Sequence, residues 1–172
     1  MMKYEIKGGS FPVVVCYLEN GEKMITEKGS MVWMSPNMQM DTQGGGVCGV
    51  GIMPKVARAA LHMWEEPCIS GTRGSGAVFF SGCALKCIFC QNEAISHGGE
   101  GETIGIERLA EIFRELEAQG AHNINLVTGS HYTQQITSAL ESAELSVPVV
   151  WNSSGYDSVD ALRRLEGLVQ IY

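Results

Sequence analysis

The sequence has no run of eighteen apolar residues, the length at which a segment reads as a membrane-crossing helix. Its opening, MMKYEIKGGSFPVVVCYLENG, carries an early acid and no small-residue cleavage site after its short apolar run. Neither a span nor a signal peptide is expected, and the expected compartment is the cytoplasm. Basic residues are scarce: 12 Lys and Arg against 19 Asp and Glu leave a formal charge of -7 without any Lys/Arg stripe. Phosphate neutralisation is therefore a poor basis for partner choice, and no nucleic-acid partner is expected. With 45% hydrophobic and 18% charged residues over 172 positions, the chain has the composition of a globular domain with an appendage. The six cysteines lack the even spread of a secreted disulfide framework, since three crowd into residues 83–90 while Cys16, Cys48 and Cys68 are scattered.

The first 43 residues differ from the rest. Residues 11–18 form a β-branched apolar run, Asn20-Gly21 is a hairpin signal, and residues 23–33 carry a second strand-like stretch. Met38, Met40 and Thr42 continue an extended alternation beyond the Pro36-Asn37 turn. These features predict a short antiparallel β piece over residues 1–43, and Gly44-Gly45-Gly46 predicts a joint before a second region spanning 47–172.

After the glycines the periodicity changes. In PKVARAALHMWEE, Val56, Ala57, Ala60, Leu61 and Trp64 fit one helical face, with Pro54 suited to the first turn and Pro67 as the stop. Alternating strands and helices follow: a strand at 77–80, a helix at 106–118, a strand at 123–127, a helix at 133–143, a strand at 147–151, a helix at 157–165 and a fourth strand at 168–172. Helical connections imply parallel strands, so the predicted fold class is α/β, a partial (β/α) barrel preceded by the β fragment. Four strands do not close such a barrel.

The chemistry concentrates in FFSGCALKCIFCQNE, residues 79–93. Cys83-x3-Cys87-x2-Cys90 places three soft thiolates on one loop after a strand, a donor set that selects iron-sulfur clusters, zinc or copper(I). Gly82 permits a tight approach to the first of them. A [4Fe-4S] cluster held by three cysteines keeps one iron for an outside ligand, and the amino and carboxylate groups of S-adenosylmethionine can chelate it. Other readings of the same residues stand beside this one. They are inert thiols, structural zinc with His97 or Cys68 as a distant ligand, and an electron-transferring cluster completed by Cys68.

The string GCALKCIFCQN resembles the cluster motif of the radical S-adenosylmethionine superfamily. Its setting, with ARAALHMWEEPCIS before it and NINLVTGSHY and WNSSGYDS after it, resembles iron-sulfur proteins related to pyruvate formate-lyase activating enzyme. The resemblance covers residues 47–172 and implies that Cys83, Cys87 and Cys90 hold the cluster, with Phe89 near the adenine. It further implies that Thr128 and Ser130 stand where the superfamily often receives the substrate amino group, although no carboxylate is present there, and that Asn152 and Ser154 face the ribose or methionine part. The implied reaction is reductive cleavage to a 5'-deoxyadenosyl radical, and the implied partners are a reductant such as flavodoxin or ferredoxin and a glycyl-radical enzyme. The family barrel has six strand-helix units, so later ligand contacts have no counterpart. A non-catalytic iron-sulfur or zinc-binding protein, or an inactive fragment, is the alternative expectation. Residues 2–43 resemble the start of a β-rich family related to the tryptophan RNA-binding attenuation protein, and no RNA-binding role is expected from so short a piece.

Overall fold

In the first of two units, Met1–Gln39, β-branched and aromatic residues pair two strands, β1 (Lys3–Lys7) and β2 (Val13–Tyr17), into an antiparallel ribbon. Tyr4 opposes Cys16 and Ile6 opposes Val14, while Lys3, Glu5 and Lys7 fall on the other face. Within the expected run at 11–18, Val13–Tyr17 thus pairs with a strand before it. The computed structural model describes residues 3–8, 13–22, 35, 49–97 and 99–172. The second expected strand at 23–33, the alternation at 38–42, the glycine joint and Cys48 lie outside them.

The second unit, Met40–Tyr172, is built on a five-stranded sheet of order β5-β3-β4-β6-β7. Its strands are β3 (Lys55–His62), β4 (Ser75–Phe80), β5 (Glu102–Thr103), β6 (Ile124–Val127) and β7 (Val149–Asn152). β4, β6 and β7 run parallel, as the helical connections require, whereas β3 is antiparallel to both β4 and β5. The sheet is α/β in architecture and open. A last stretch adds an isolated parallel bridge, Val150 to Ile171, in place of the full fourth strand expected at 168–172.

The helix expected from PKVARAALHMWEE is absent, and most of that segment forms β3. Helix propensity favours alanine by only a few tenths of a kcal/mol per residue up to about 1 kcal/mol over glycine. Pairing with β4 from Val56 to His62 outweighs it. The register shifts between Val56 and Arg58, so the strand bulges there. Gly101 lies against this bulge: with φ of 118°, a Cβ placed on it would come within 2.6 Å of the Val56 carbonyl and 2.8 Å of the Ala57 backbone. Trp64, assigned to the helical face, is 87% exposed.

Helices cover one face of the sheet. In α3 (Ile106–Ala118) the residues Leu109, Ile112, Phe113 and Leu116 recur at helical spacing and are buried, and α4 (Thr133–Ala143) buries Ile136, Ala139 and Leu140. They pack with Val78, Phe80, Ile124, Leu126, Val149 and Trp151 in one cluster. Two shorter helices, α1 (Pro67–Ser70) and α2 (Glu93–Ser96), flank β4 in sequence, and α5 (Val159–Leu165) follows β7. Ser158 caps α5 by accepting the Ala161 N–H at 3.2 Å, which starts the helix two residues later than its expected 157.

Candidate functional site

The loop after β4 carries the cysteines. Ser81 is tied to β3 by its N–H donating to the Lys55 carbonyl at 2.8 Å, and its hydroxyl donates to the Glu100 carbonyl. Gly82, at φ of 83°, donates its N–H to the Ile95 carbonyl at 3.1 Å, folding α2 back over the start of the loop. Lys86 also takes a left-handed φ, of 43°. A β-turn then spans 87–90, closed by the Cys90 N–H donating to the Cys87 carbonyl at 3.1 Å. Its central residues Ile88 and Phe89 stand 96% and 86% exposed.

Cys83 and Cys90 are half-buried and Cys87 is exposed; all three are free thiols. The Ser96 hydroxyl donates to Cys90 Sγ at 3.4 Å and lies 3.0 Å from His97 Nδ1. Three thiolates suit a cluster only when they converge on one point. Among the described residues, no three His, Cys, Asp or Glu side chains come together in a way that could hold a metal ion. This overturns the expected [4Fe-4S] cluster at Cys83, Cys87 and Cys90 and the iron-sulfur radical chemistry built on it. Sequence spacing set the thiols close along the chain; the exposed turn at 87–90 and the left-handed residue before it do not gather all three. A structural zinc completed by His97 or Cys68 falls by the same finding.

The polar residues expected around a cofactor occupy the carboxyl ends of β6 and β7, where open α/β sheets place their sites. Thr128 follows β6 with φ of 59°, and its N–H donates to the Asn152 carbonyl at 2.9 Å, which brings these two positions together through the backbone. Ser130 opens a short 3₁₀ turn, Ser130–Tyr132, and its carbonyl accepts the Thr133 hydroxyl at 2.7 Å. Asn152 ends β7 and is exposed, as is Ser154. Phe89 lies on the exposed turn rather than in a packed pocket.

Two groups that the sequence did not single out for these roles brace the same end. His131, expected to be a first-turn helix residue, places Nε2 2.8 Å from the Ser81 carbonyl and so links the 3₁₀ turn to the root of the cysteine loop. Burial pushes its pKa below the ordinary histidine value, partly offset by that hydrogen bond. Asp157 Oδ2 accepts the Trp151 indole N–H at 3.2 Å and the Ser153 hydroxyl at 2.5 Å, fixing the loop after β7. A loop Asp six residues beyond a strand tryptophan carries little signal in sequence, because only the fold turns the two toward each other. At the opposite end of the sheet a cavity of about 240 Å³ is lined by Cys68, Gly71, His122, Asn123 and Pro148 among others.

The family model of the radical SAM superfamily matches residues 77–172, more than half of the chain and the stretch that runs from β4 through the last bridge. The chain belongs to the radical SAM superfamily. A second family model, mitochondrial biogenesis AIM24, matches residues 4–100, and through that part the chain is also a member of the AIM24 family. The two matches overlap over 77–100, where the radical SAM portion begins with β4 and the cysteine loop. An uncharacterised protein of Methanocaldococcus jannaschii is 32% identical over 121 residues, covering 65% of this chain. The chain spans 35% of that relative's length. No solved structure matches significantly. Among the described residues, no helix is long and apolar enough to cross a membrane.

Proposed function

We propose that this chain is a non-catalytic member of the radical SAM superfamily: it keeps the parallel core and helix layer of the fold and does not assemble the metal centre on which radical chemistry depends. The observation that carries this reading is the lack of any three converging ligand side chains among the described residues, with all three loop cysteines themselves described. The fold argument agrees, since the sheet is open and the turn at 87–90 stands exposed. Within the superfamily, the strings around the loop and at WNSSGYDS point to descent from the branch related to pyruvate formate-lyase activating enzyme. That descent supplies ancestry and assigns no partner enzyme or reductant here.

The test is anaerobic reconstitution with iron and sulfide, followed by electron paramagnetic resonance with and without S-adenosylmethionine and a 5'-deoxyadenosine assay. The expected result is no spectrum that responds to S-adenosylmethionine and no 5'-deoxyadenosine, with iron content unchanged by Cys87→Ala. A responsive spectrum lost in that variant would overturn the reading.

A further inference from the structure

The cavity of about 240 Å³ at the amino-terminal end of the parallel strands, away from the cysteine loop, has two polar atoms in its wall that the chain leaves unsatisfied. Arg73 Nη2 lies 3.2 Å from His122 Nδ1, and a guanidinium has hydrogens to give and no lone pair to offer. Nδ1 therefore accepts, and the ring proton sits on Nε2, a buried donor. Asn123 is oriented by the same logic. Its Nδ2 donates to the Ile69 carbonyl at 2.8 Å, which leaves Oδ1 as a buried acceptor on a residue only 3% exposed. Neither His122 Nε2 nor Asn123 Oδ1 has a partner among the described residues. Buried polar groups are paired as a rule, so a wall holding one lone donor beside one lone acceptor is incomplete by itself.

We propose that this cavity is a binding site for a small ring carrying an amide edge, whose carbonyl accepts from His122 Nε2 and whose N–H donates to Asn123 Oδ1. The donor set excludes the other simple classes. A carboxylate has no hydrogen for Asn123, and an ammonium has no lone pair for His122. A metal ion needs a lone pair on Nε2, which this tautomer does not have. Size narrows the occupant further: sites for drug-sized ligands run to roughly 300–1,000 Å³, and this one is smaller. Ile69, Pro148 and Ile171 supply apolar walls for the body of the ring. Gly71 lies over His122, where a Cβ would come within 2.9 Å of Nε2, and Ile69 lies over the Asn123 amide. Both covering residues belong to the short α1 turn and its end, so a ligand reaches the two buried atoms by pressing back one turn without moving a strand.

Cys68, an exposed free thiol that also lines the cavity, gives the test a built-in reporter. The reduced full-length chain is alkylated with N-ethylmaleimide, quenched and digested with trypsin. Peptide 59–73 then carries Cys68 alone and peptide 8–23 carries Cys16 alone, so the two rates are read separately by mass. Nicotinamide and uracil are the ligands, one with a primary carboxamide and one with a ring lactam. At a dissociation constant on the order of 1 mM, about 10 mM of the matching ligand should slow alkylation of Cys68 roughly tenfold and leave Cys16 unchanged. Whichever of the two protects identifies the source of the amide edge. Nicotinate, with the same ring and no N–H, should not protect. His122→Phe keeps a ring and removes the donor, and should abolish protection. Ile171→Trp, which fills the cavity from its rim, should do the same if the His122 variant does not fold. Protection by neither ligand, equal protection by nicotinate, or protection that survives in both variants would overturn the site. So would a histidine nitrogen spectrum placing the His122 proton on Nδ1.

Discussion

The helix-covered face of the sheet and the loop between β4 and β5 share one unit yet are held by different forces. On the first, Phe113, Leu109, Ile124 and Leu126 are shielded completely from solvent, and every one belongs to the same apolar cluster. Over the second, individual hydrogen bonds to carbonyls of Lys55, Glu100, Ile95 and Cys87 fix the backbone while Ile88 and Phe89 face water. Burial is additive and insensitive to direction, so the core tolerates no easy alternative. The loop depends on a few directional bonds, each worth about 1 kcal/mol net, and its local opening should cost far less than global unfolding. The difference teaches that family resemblance in a core does not carry over to the side-chain geometry of a loop.

Several substitutions would break or sharpen that contrast. The largest effect is expected for Phe113→Ala, about 3–5 kcal/mol of lost stability from the cavity left under α3, read from urea denaturation midpoints; a loss near zero would mean that the core is not what holds the unit. Asp157→Ala should cost about 1–3 kcal/mol, since the buried Trp151 indole N–H loses its acceptor. Its thermal midpoint should fall less than that of the Phe113 variant.

His131 gives a pH signature. Its folded pKa lies below that of the unfolded chain, so the unfolded state takes up the proton first as pH falls. The penalty is absent well above about pH 6.5, sets in as pH drops through that value, and is complete below the folded pKa. His131→Gln, which keeps a donor for the Ser81 carbonyl, should flatten the stability profile between pH 7.5 and 5 without abolishing folding; an unchanged slope would assign the acid sensitivity elsewhere. The smallest change is expected for Phe89→Ala, within about 0.5 kcal/mol, because the ring is exposed. A loss of several kcal/mol there would show that the turn packs against something in solution.

Much of the parallel core was legible. α3 coincides with the apolar spacing of Ile106, Leu109, Ile112, Phe113 and Leu116, and α4 with the expected 133–143. In both cases a long amphipathic period agrees with local propensity. β3 failed because its alanines fit a helix locally, and only pairing with β4 and β5 reveals the strand. At the site, Thr128 and Asn152 were singled out by the family resemblance, and the backbone bond between them shows that they stand at adjoining strand ends. The brace from His131 to Ser81 was not legible, since it joins residues fifty positions apart that meet only after β4 and β6 pair.

By itself the sequence determined the superfamily, the alternation of strand and helix from β4 onward and the closeness of three cysteines along the chain. Periodicity and spacing are local quantities, and local quantities survive without coordinates. Only the tertiary structure decided that β3 is a strand and that the three thiols do not converge on a metal. Both depend on where distant backbone segments pin a short stretch of chain, and no spacing rule encodes the direction in which a sulfur points.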